Sequence, residues 1–227
     1  GLHHLISTIE PNVILIQEHW LTPANMYKLS RSFSDYFCFG SSAMENSVSA
    51  GPLIGRPFGG TAVLVKKSLI HCMTPVVSRE RFTAVVIGNW LLASVYLPCA
   101  GTANRQSLFD DVMLELESVI HDYHDLDLLV GGDFNIDLET SSSLTATVNN
   151  FMQRNTLKRC DKLYPVGVKH TYVNESLQCS SAIDFIITSN EKSTVAFNIL
   201  EIDINLSDHL PLLAVLMTND PVTNVSC

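Results

Sequence analysis

Two features that often identify a protein class are missing from this sequence of 227 residues: paired cysteines and long apolar runs. Its six cysteines are scattered with no Cys-x-x-Cys pair, a spacing that excludes a zinc knuckle. A chain of this size buries enough apolar surface to fold without a disulfide framework. No uninterrupted apolar stretch approaches the roughly 18 residues that a membrane-spanning helix needs. We therefore expect a globular domain that makes no use of a membrane.

Basic residues are also scarce. Lys and Arg number 14 against 23 Asp and Glu, which gives a net charge of −9. Domains that hold nucleic acid by bulk electrostatic attraction are usually basic, so this composition argues against such a protein. It is compatible with an enzyme that handles phosphate through a bound cation, because the carboxylates that hold the cation add to the acidity.

A glycine-rich dinucleotide fingerprint is absent too, and the predicted strands follow one another without the helices that a parallel sheet requires. This succession excludes a doubly wound sheet and a TIM barrel. The apolar patterns predict helices over 2–9, 104–124 and 144–158, and strands over 13–16, 61–65, 70–77, 82–87, 91–97, 126–130, 169–173, 183–188, 195–200 and 210–217. The strand at 13–16 is apolar throughout and is expected to be buried on both faces. The pattern favours an α/β sandwich of antiparallel or mixed sheets.

Polar residues stand at the ends of five predicted strands. They are Glu18, Tyr96, Asp133 with Asn135, Asp184, and Asp208 with His209. One acid at a strand end is usually solvated, but five such ends indicate a shared site. Asp133 and Asn135 can point the same way, although an Asx turn explains the same residues. Asp184 lies within an apolar run and needs a partner, for which His209 is a natural candidate.

Taken in order, these residues resemble the exonuclease–endonuclease–phosphatase superfamily. That group includes DNase I, abasic-site endonucleases, inositol polyphosphate phosphatases and the endonuclease domains of LINE-type retrotransposons. The segments Gln17–Leu21, Gly55–Gly60 and Lys169–Tyr172 are most similar to the last of these. The resemblance covers the whole chain and implies a single domain, 1–227, folded as a four-layered α/β sandwich of two mostly antiparallel sheets flanked by helices.

The resemblance also implies roles for individual residues. It implies metal binding by Glu18 and Asp208, catalysis by Asp133, Asp184, His209, Asn135 and Tyr96, and substrate binding by Asn135, Tyr96, Thr171 and Ser207. Asp133 would orient or deprotonate the attacking water. His209, held by Asp184, would bind and neutralise the phosphate.

The implied activity is that of an Mg²⁺-dependent DNA endonuclease, with Mn²⁺ as a substitute cation. It would nick one strand of duplex DNA and leave a 3′-hydroxyl that primes reverse transcription by a domain C-terminal to this chain. Such a domain is expected to be monomeric, intracellular and active in the nucleus. Loops 41–58 and 189–206 are expected to recognise the target DNA. Five basic residues are either contacts to the DNA backbone or ordinary surface charges: Arg56, Lys66, Lys67, Arg79 and Arg81.

Two alternatives stay open at this point. One is a phosphatase or phosphodiesterase of the same superfamily that acts on inositol or lipid phosphates. The other is a catalytically dead module retained for DNA binding or another interaction. It arises because the family's first strand, which ends in an Asn, has no counterpart before Gly1. We expect the chain without that strand to be poorly active and to carry an exposed sheet edge.

Overall fold

The computed structural model describes residues 2–49, 51, 55–202, 205 and 207–217. The helices are α1 (Leu2–Ile9), α2 (Tyr27–Ser32), α3 (Glu45–Ser49), α4 (Arg105–Asp122), α5 (Ser143–Arg154) and α6 (Cys160–Leu163). The strands are β1 (Val13–Gln17), β2 (Tyr36–Ser41), β3 (Thr61–Lys66), β4 (Met73–Ser78), β5 (Phe82–Ile87), β6 (Trp90–Tyr96), β7 (Asp127–Asp133), β8 (Lys158–Arg159), β9 (Tyr172–Asn174), β10 (Cys179–Ser181), β11 (Asp184–Thr188), β12 (Thr194–Ile199) and β13 (Leu212–Leu216). None of the described helices is long and apolar enough to cross a membrane.

A six-stranded sheet in the order β4-β5-β6-β7-β11-β8 lies at the centre of the molecule. Only β6 and β7 run parallel, and every other pair in this sheet is antiparallel. The parallel pair is joined by α4, the crossover that parallel strands require. This mixed sheet agrees with the prediction from the sequence.

The second layer of strands consists of the three-stranded sheet β1-β3-β2 and the pair β12-β13. Their inner side chains pack with those of the central sheet in one apolar cluster that includes Val63, Trp90 and Phe197. On the outer face of the central sheet, α4 and α5 bury Phe109 and Phe151. Helices α1 and α2 contribute to a third cluster on the outer face of β1-β3-β2. The predicted arrangement of two main sheets flanked by helices is confirmed.

Buried polar side chains connect the two sheets below the site. The Gln17 Nε2 atom donates to Ser94 Oγ at 2.8 Å, and Ser94 Oγ donates to the carbonyl of Ile16 at 3.0 Å. The hydroxyls of Thr61 and Thr83, both fully buried, lie 2.9 Å apart. These bonds fix the end of β1 against β6, so the residue that follows Gln17 has a defined position relative to Tyr96.

Several local predictions were wrong. Residues 67–72 form a 3-10 helix before β4, whereas a strand was expected from 70, because a short apolar run does not distinguish the two conformations. Strand β1 is half-buried and not buried on both faces, since it lies at the edge of its sheet. Helix α3 interrupts the loop predicted over 41–58. Strand β12 confirms the strand predicted over 195–200, which lies within the segment 189–206 that was also expected to form a target-reading loop. Helix α2 and strand β2 were not predicted.

Strands β1 and β13 each pair on one side only among the described residues. Strand β1 packs across from β6 and β7, and β13 packs across from β11. An exposed edge was expected next to a missing first strand. That expectation stays a prediction.

We predict that Ser94→Ala lowers the free energy of unfolding by about 1–3 kcal/mol, because it leaves the buried Gln17 amide without its acceptor. Urea denaturation measures this loss. The control is Ser68→Ala, which removes an exposed hydroxyl and is expected to change stability by less than about 0.5 kcal/mol. Equal effects of the two substitutions would show that the bonds between the sheets contribute nothing.

Candidate active site

Three of the predicted site residues lie side by side across the central sheet. In the register of β6, β7 and β11, Tyr96 is the partner of Asp133, and Asp133 is the partner of Asp184. Gly132 makes this close pairing feasible, because a β-carbon there would lie 2.0 Å from the Val95 carbonyl oxygen. The sheet therefore places a phenol and two carboxyl groups at one edge.

His209 reaches this row from the turn before β13. Its Nδ1 atom lies 3.1 Å and 2.9 Å from the two carboxylate oxygens of Asp184, and the ring packs 4.9 Å from that of Tyr172. Main-chain bonds hold the turn to β9: Val173 N donates to the Asp208 carbonyl at 2.9 Å, and Leu210 N donates to the Thr171 carbonyl at 2.6 Å. The Asp184–His209 pair predicted from the sequence is thus present.

Asp133 is 6% exposed, and Asn135 occupies both of its carboxylate oxygens. The Asn135 main-chain N–H donates to Oδ1 at 2.8 Å, and its side-chain amide donates to Oδ2 at 2.9 Å. The same amide donates to the Leu97 carbonyl at 2.9 Å. The Asx turn is therefore present, and it also orients the Asp133 carboxyl group at the edge of the sheet.

Burial and neighbouring charges together raise the pKa values of both Asp133 and His209. Burial, followed by the negative charge of Asp184, raises the pKa of Asp133 to about 7. Burial by itself lowers the pKa of His209. The hydrogen bond and charge of Asp184, with smaller contributions from Asp133 and Asp208, outweigh burial and raise this pKa to about 9. His209 is consequently cationic at neutral pH.

Glu18 follows the end of β1, and its carboxylate lies near the Tyr96 hydroxyl. Burial and this carboxylate together raise the pKa of Tyr96 well above its ordinary value, so the phenol stays protonated. The charge of Glu18 also raises the pKa of Asp133. Two carboxyl groups that repel each other at one edge of a sheet are a suitable setting for a cation.

The oxygen-rich donor set fits a hard divalent cation. Ligand atoms of Asp133, Asp184 and His209 lie within 4.8 Å of one another. The contact between His209 and Asp184 occupies two of these groups, which leaves Asp133 and the nearby Glu18 as the freer donors. Glu18 and Asp208, the two predicted metal ligands, are both exposed and lie outside that three-residue cluster.

Two predicted substrate contacts have structural partners instead. Thr171 is 2% exposed, and its hydroxyl accepts the main-chain N–H groups of Ile183 and Asp184, each at 3.0 Å. It positions Asp184 and has little surface left for a substrate. Ser207 is exposed, and its hydroxyl accepts the His209 N–H at 3.1 Å, so it shapes the turn that carries the histidine.

The structure identifies Arg81 as a cation of the site, which the sequence did not distinguish from surface charge. Its guanidinium carbon lies 5.2 Å from the ring centroid of Tyr96, and its side chain is 16% exposed. Glu80 lies 3.6 Å from the Nε atom, which has no hydrogen-bond partner within the described part of the chain. By contrast, Lys66 and Arg79 pair with Glu10 and Glu115 away from the site.

We predict that Asp184→Asn lowers the pKa of His209 from about 9 to 6.5 or below. The variant loses the negative charge that outweighs the effect of burial, and burial lowers this pKa. Titration of the His209 ring protons by NMR measures this change. Asp208→Asn is the matched control, since Asp208 is exposed and raises the pKa of His209 less than Asp184 or Asp133 does. A similar shift in both variants would contradict the assigned pair.

Comparisons with known proteins identify the family and the fold of this chain. The sequence profile of the endonuclease/exonuclease/phosphatase family matches residues 1–209, whereas no curated protein matches the chain by sequence at a significant level. A Neisseria 3′ phosphatase, NExo, solved with a product DNA hairpin, is similar in structure, with a TM-score of 0.73 and 16% identity over 96% of this chain and 93% of that one.

Two further solved structures share the fold. The 3′-5′ exonuclease NExo from Neisseria meningitidis has a TM-score of 0.72 and 16% identity over 95% of this chain and 93% of that one. The endonuclease domain of TRAS1, a telomere-specific non-LTR retrotransposon, has a TM-score of 0.70 and 14% identity over 96% of this chain and 92% of that one. Identities this low demonstrate a common fold alone. The family match over most of the sequence goes further, and this chain belongs to the endonuclease/exonuclease/phosphatase family.

Proposed function

We propose that the chain is a divalent-metal-dependent DNA endonuclease that nicks one strand of a duplex. The observation that carries this proposal is the contact between Asp184 and His209 beside the buried Asp133. A cationic imidazole next to a carboxyl group of raised pKa combines an anion-binding group with a proton acceptor, and phosphodiester hydrolysis needs both.

The residues of the chain divide the reaction between them. Asp133, in its carboxylate form, accepts a proton from the attacking water, whose oxygen forms a new bond to phosphorus. The bond from phosphorus to the 3′ oxygen breaks, and that oxygen takes a proton from solvent to become a 3′-hydroxyl, which leaves a 5′-phosphate on the other side. Asn135 keeps Asp133 oriented through its two hydrogen bonds. His209 neutralises the negative charge that builds up on the phosphate.

Binding of the phosphate involves further groups of the same edge. Arg81 places a positive charge beside the Tyr96 ring, and the Tyr96 phenol stays protonated and able to donate. The Nδ1 atom of His209 is held by Asp184, so its Nε2 atom is the one left for the substrate. A cation held by Glu18 and Asp133, for which we propose Mg²⁺ with Mn²⁺ as a substitute, would supply Lewis-acid polarisation of the phosphate.

The biological setting is part of the proposal. The segments Gln17–Leu21 and Lys169–Tyr172 resemble LINE-type endonucleases, and the TRAS1 domain shares the fold. On this basis the 3′-hydroxyl would prime reverse transcription by a domain that follows in a longer protein, and the reaction would take place in the nucleus. The domain itself would act as a monomer on double-stranded DNA.

A 3′ phosphatase activity on DNA is the second candidate, because the Neisseria structure with TM-score 0.73 is described as a 3′ phosphatase. The same residues could attack a terminal phosphomonoester. An inositol or lipid phosphatase has less support, since the described part of the site offers two cations, Arg81 and His209, and no dense basic cluster for a polyphosphate.

We predict that the chain nicks supercoiled plasmid with Mg²⁺, that EDTA abolishes nicking, and that Asp133→Asn and His209→Ala each lower the rate by about 10²- to 10⁴-fold. His124→Ala, at a histidine with 70% of its side chain exposed, is the matched control and is expected to cut normally.

A version extended by an N-terminal strand that ends in Asn is expected to be more active than the chain alone.

The outcomes separate the alternatives. If folded protein of neither length nicks plasmid but either removes phosphate from a 3′-phosphorylated oligonucleotide, the phosphatase replaces the endonuclease. If both lengths also fail on that substrate and on a soluble inositol phosphate, the domain is catalytically dead. Full activity of His209→Ala would refute the assigned site even if the protein is a nuclease.

We predict a bell-shaped dependence of the nicking rate on pH. The rate rises as Asp133 loses its proton, at a pKa of about 7 or lower once a cation is bound, and falls as His209 loses its proton at a pKa of about 9. Asp184→Asn should move the falling limb to lower pH, because it removes the charge that holds the imidazolium. Initial rates across this range measure both limbs, and an unmoved falling limb in the variant would contradict the role of His209.

A further inference from the structure

We propose that Trp20 and Arg56 form a stacking platform for an unpaired nucleobase of the DNA, next to the phosphate that is cut. The proposal rests on the endonuclease function above and specifies how that site recognises its substrate. Trp20 is 51% exposed, and the guanidinium carbon of Arg56 lies 5.9 Å from its ring centroid. Phe58, from the same loop as Arg56, is 45% exposed.

The platform is continuous with the active site. Trp20 is two residues after Glu18, and its main-chain N–H donates to the Gly59 carbonyl at 3.0 Å. Gly59 in turn lies against Tyr96, since a β-carbon on it would be 3.7 Å from Cε1 of that ring. A base stacked on Trp20 would therefore belong to a nucleotide close to the phosphate that Tyr96 contacts.

His19, which lies between the exposed residues Glu18 and Trp20, fixes the loop that carries Trp20. His19 Nε2 donates to the Ser41 carbonyl at 3.0 Å, and His19 Nδ1 accepts the Leu21 N–H at 3.0 Å. Burial lowers the pKa of His19, which favours the neutral ring that this pair of bonds requires. Gly60 leaves room for it, because a β-carbon at Gly60 would be 2.3 Å from the His19 ring.

Backbone strain at this loop supports a functional reason for its shape. Glu18 and Trp20 have φ angles of 51° and 54°, in the left-handed region that residues other than glycine rarely adopt. Each such residue costs about 1–3 kcal/mol, and this cost persists where the surroundings hold the conformation. In this loop the two strained residues are Glu18 and Trp20, and both side chains are exposed.

The charge of the protein explains why stacking is needed. With a net charge of −9, the chain cannot obtain its affinity from general attraction to phosphates. Stacking of a base on an aromatic ring contributes about 1–3 kcal/mol and does not depend on net charge. Arg56 places a cation over the same ring, and this cation attracts the π-face of a base that lies beside it. We therefore expect a preference for DNA with an unpaired base over a fully paired duplex.

The fluorescence of the protein provides the test, because its two tryptophans are Trp20 and the buried Trp90, which is 2% exposed. We would titrate the chain with single-stranded DNA, a fully paired duplex and a duplex with one bulged base, in Ca²⁺, and record emission, acrylamide quenching and the anisotropy of labelled DNA. Trp20→Phe isolates the emission of Trp90. Tyr27→Ala, at a tyrosine that is 57% exposed on α2, is the control for loss of a surface aromatic ring.

We expect bulged and single-stranded DNA to quench the Trp20 emission and to protect it from acrylamide more than the paired duplex does. Trp20→Ala should weaken binding of the bulged duplex by about 5- to 100-fold, and Trp20→Phe should restore most of it. In nicking of the bulged duplex, Trp20→Ala should raise KM more than it lowers kcat, with an unchanged Mg²⁺ dependence. A changed Mg²⁺ dependence would mean that the loop only supports Glu18 and would overturn the platform.

The inference and the proposed function fail in different ways. If DNA is bound and nicked, but the Trp20 emission is unchanged and Trp20→Ala binds like Tyr27→Ala, the platform is refuted and the endonuclease stands. If none of the three DNAs is bound and plasmid is not nicked, both are refuted. Equal quenching by paired and bulged duplexes would refute the preference for an unpaired base.

Discussion

The active site depends on a single contact between the two strand layers, the pair of Asp184 and His209. Asp184 belongs to the central sheet, whereas His209 precedes β13 in the opposite layer. Asp184 keeps His209 cationic, and the pair also fixes the turn that carries the imidazole. Three neighbouring residues keep the imidazole in place. Thr171 and Ser207 accept main-chain N–H groups of Asp184 and His209, and Tyr172 packs on the His209 ring.

A second constraint is the repulsion among carboxyl groups that the fold brings together. Asp133 is buried beside Asp184 and near Glu18, and these neighbours raise its pKa to about 7. His209 offsets part of this cost, and a divalent cation would offset more. The site is therefore not at its electrostatic optimum without ligands. A cation bound beside Asp133 would relieve this repulsion, whereas a phosphate would be attracted to the cationic groups of the site, His209 and Arg81.

The sequence predicted the row of strand ends well, because a buried strand that stops at an acid leaves a clear local pattern. The Asp184–His209 pair was also predictable, since a carboxyl group inside an apolar run needs a partner. Arg81 could not be distinguished from other surface cations, because its position over Tyr96 comes from the register of β5 on β6. The burial of Thr171 and the edge position of β1 depend in the same way on pairings between distant segments, which no local pattern contains.

The register of the central sheet has a consequence for when the protein becomes competent. Tyr96, Asp133 and Asp184 face the same edge only while β6, β7 and β11 keep their alignment, and a slip by one residue turns a strand's side chains to the opposite face. His209 joins them from the far end of the chain. A nascent or misaligned chain thus holds the reactive groups apart. The site is therefore assembled only after β13, the last strand among the described residues, has packed against the central sheet.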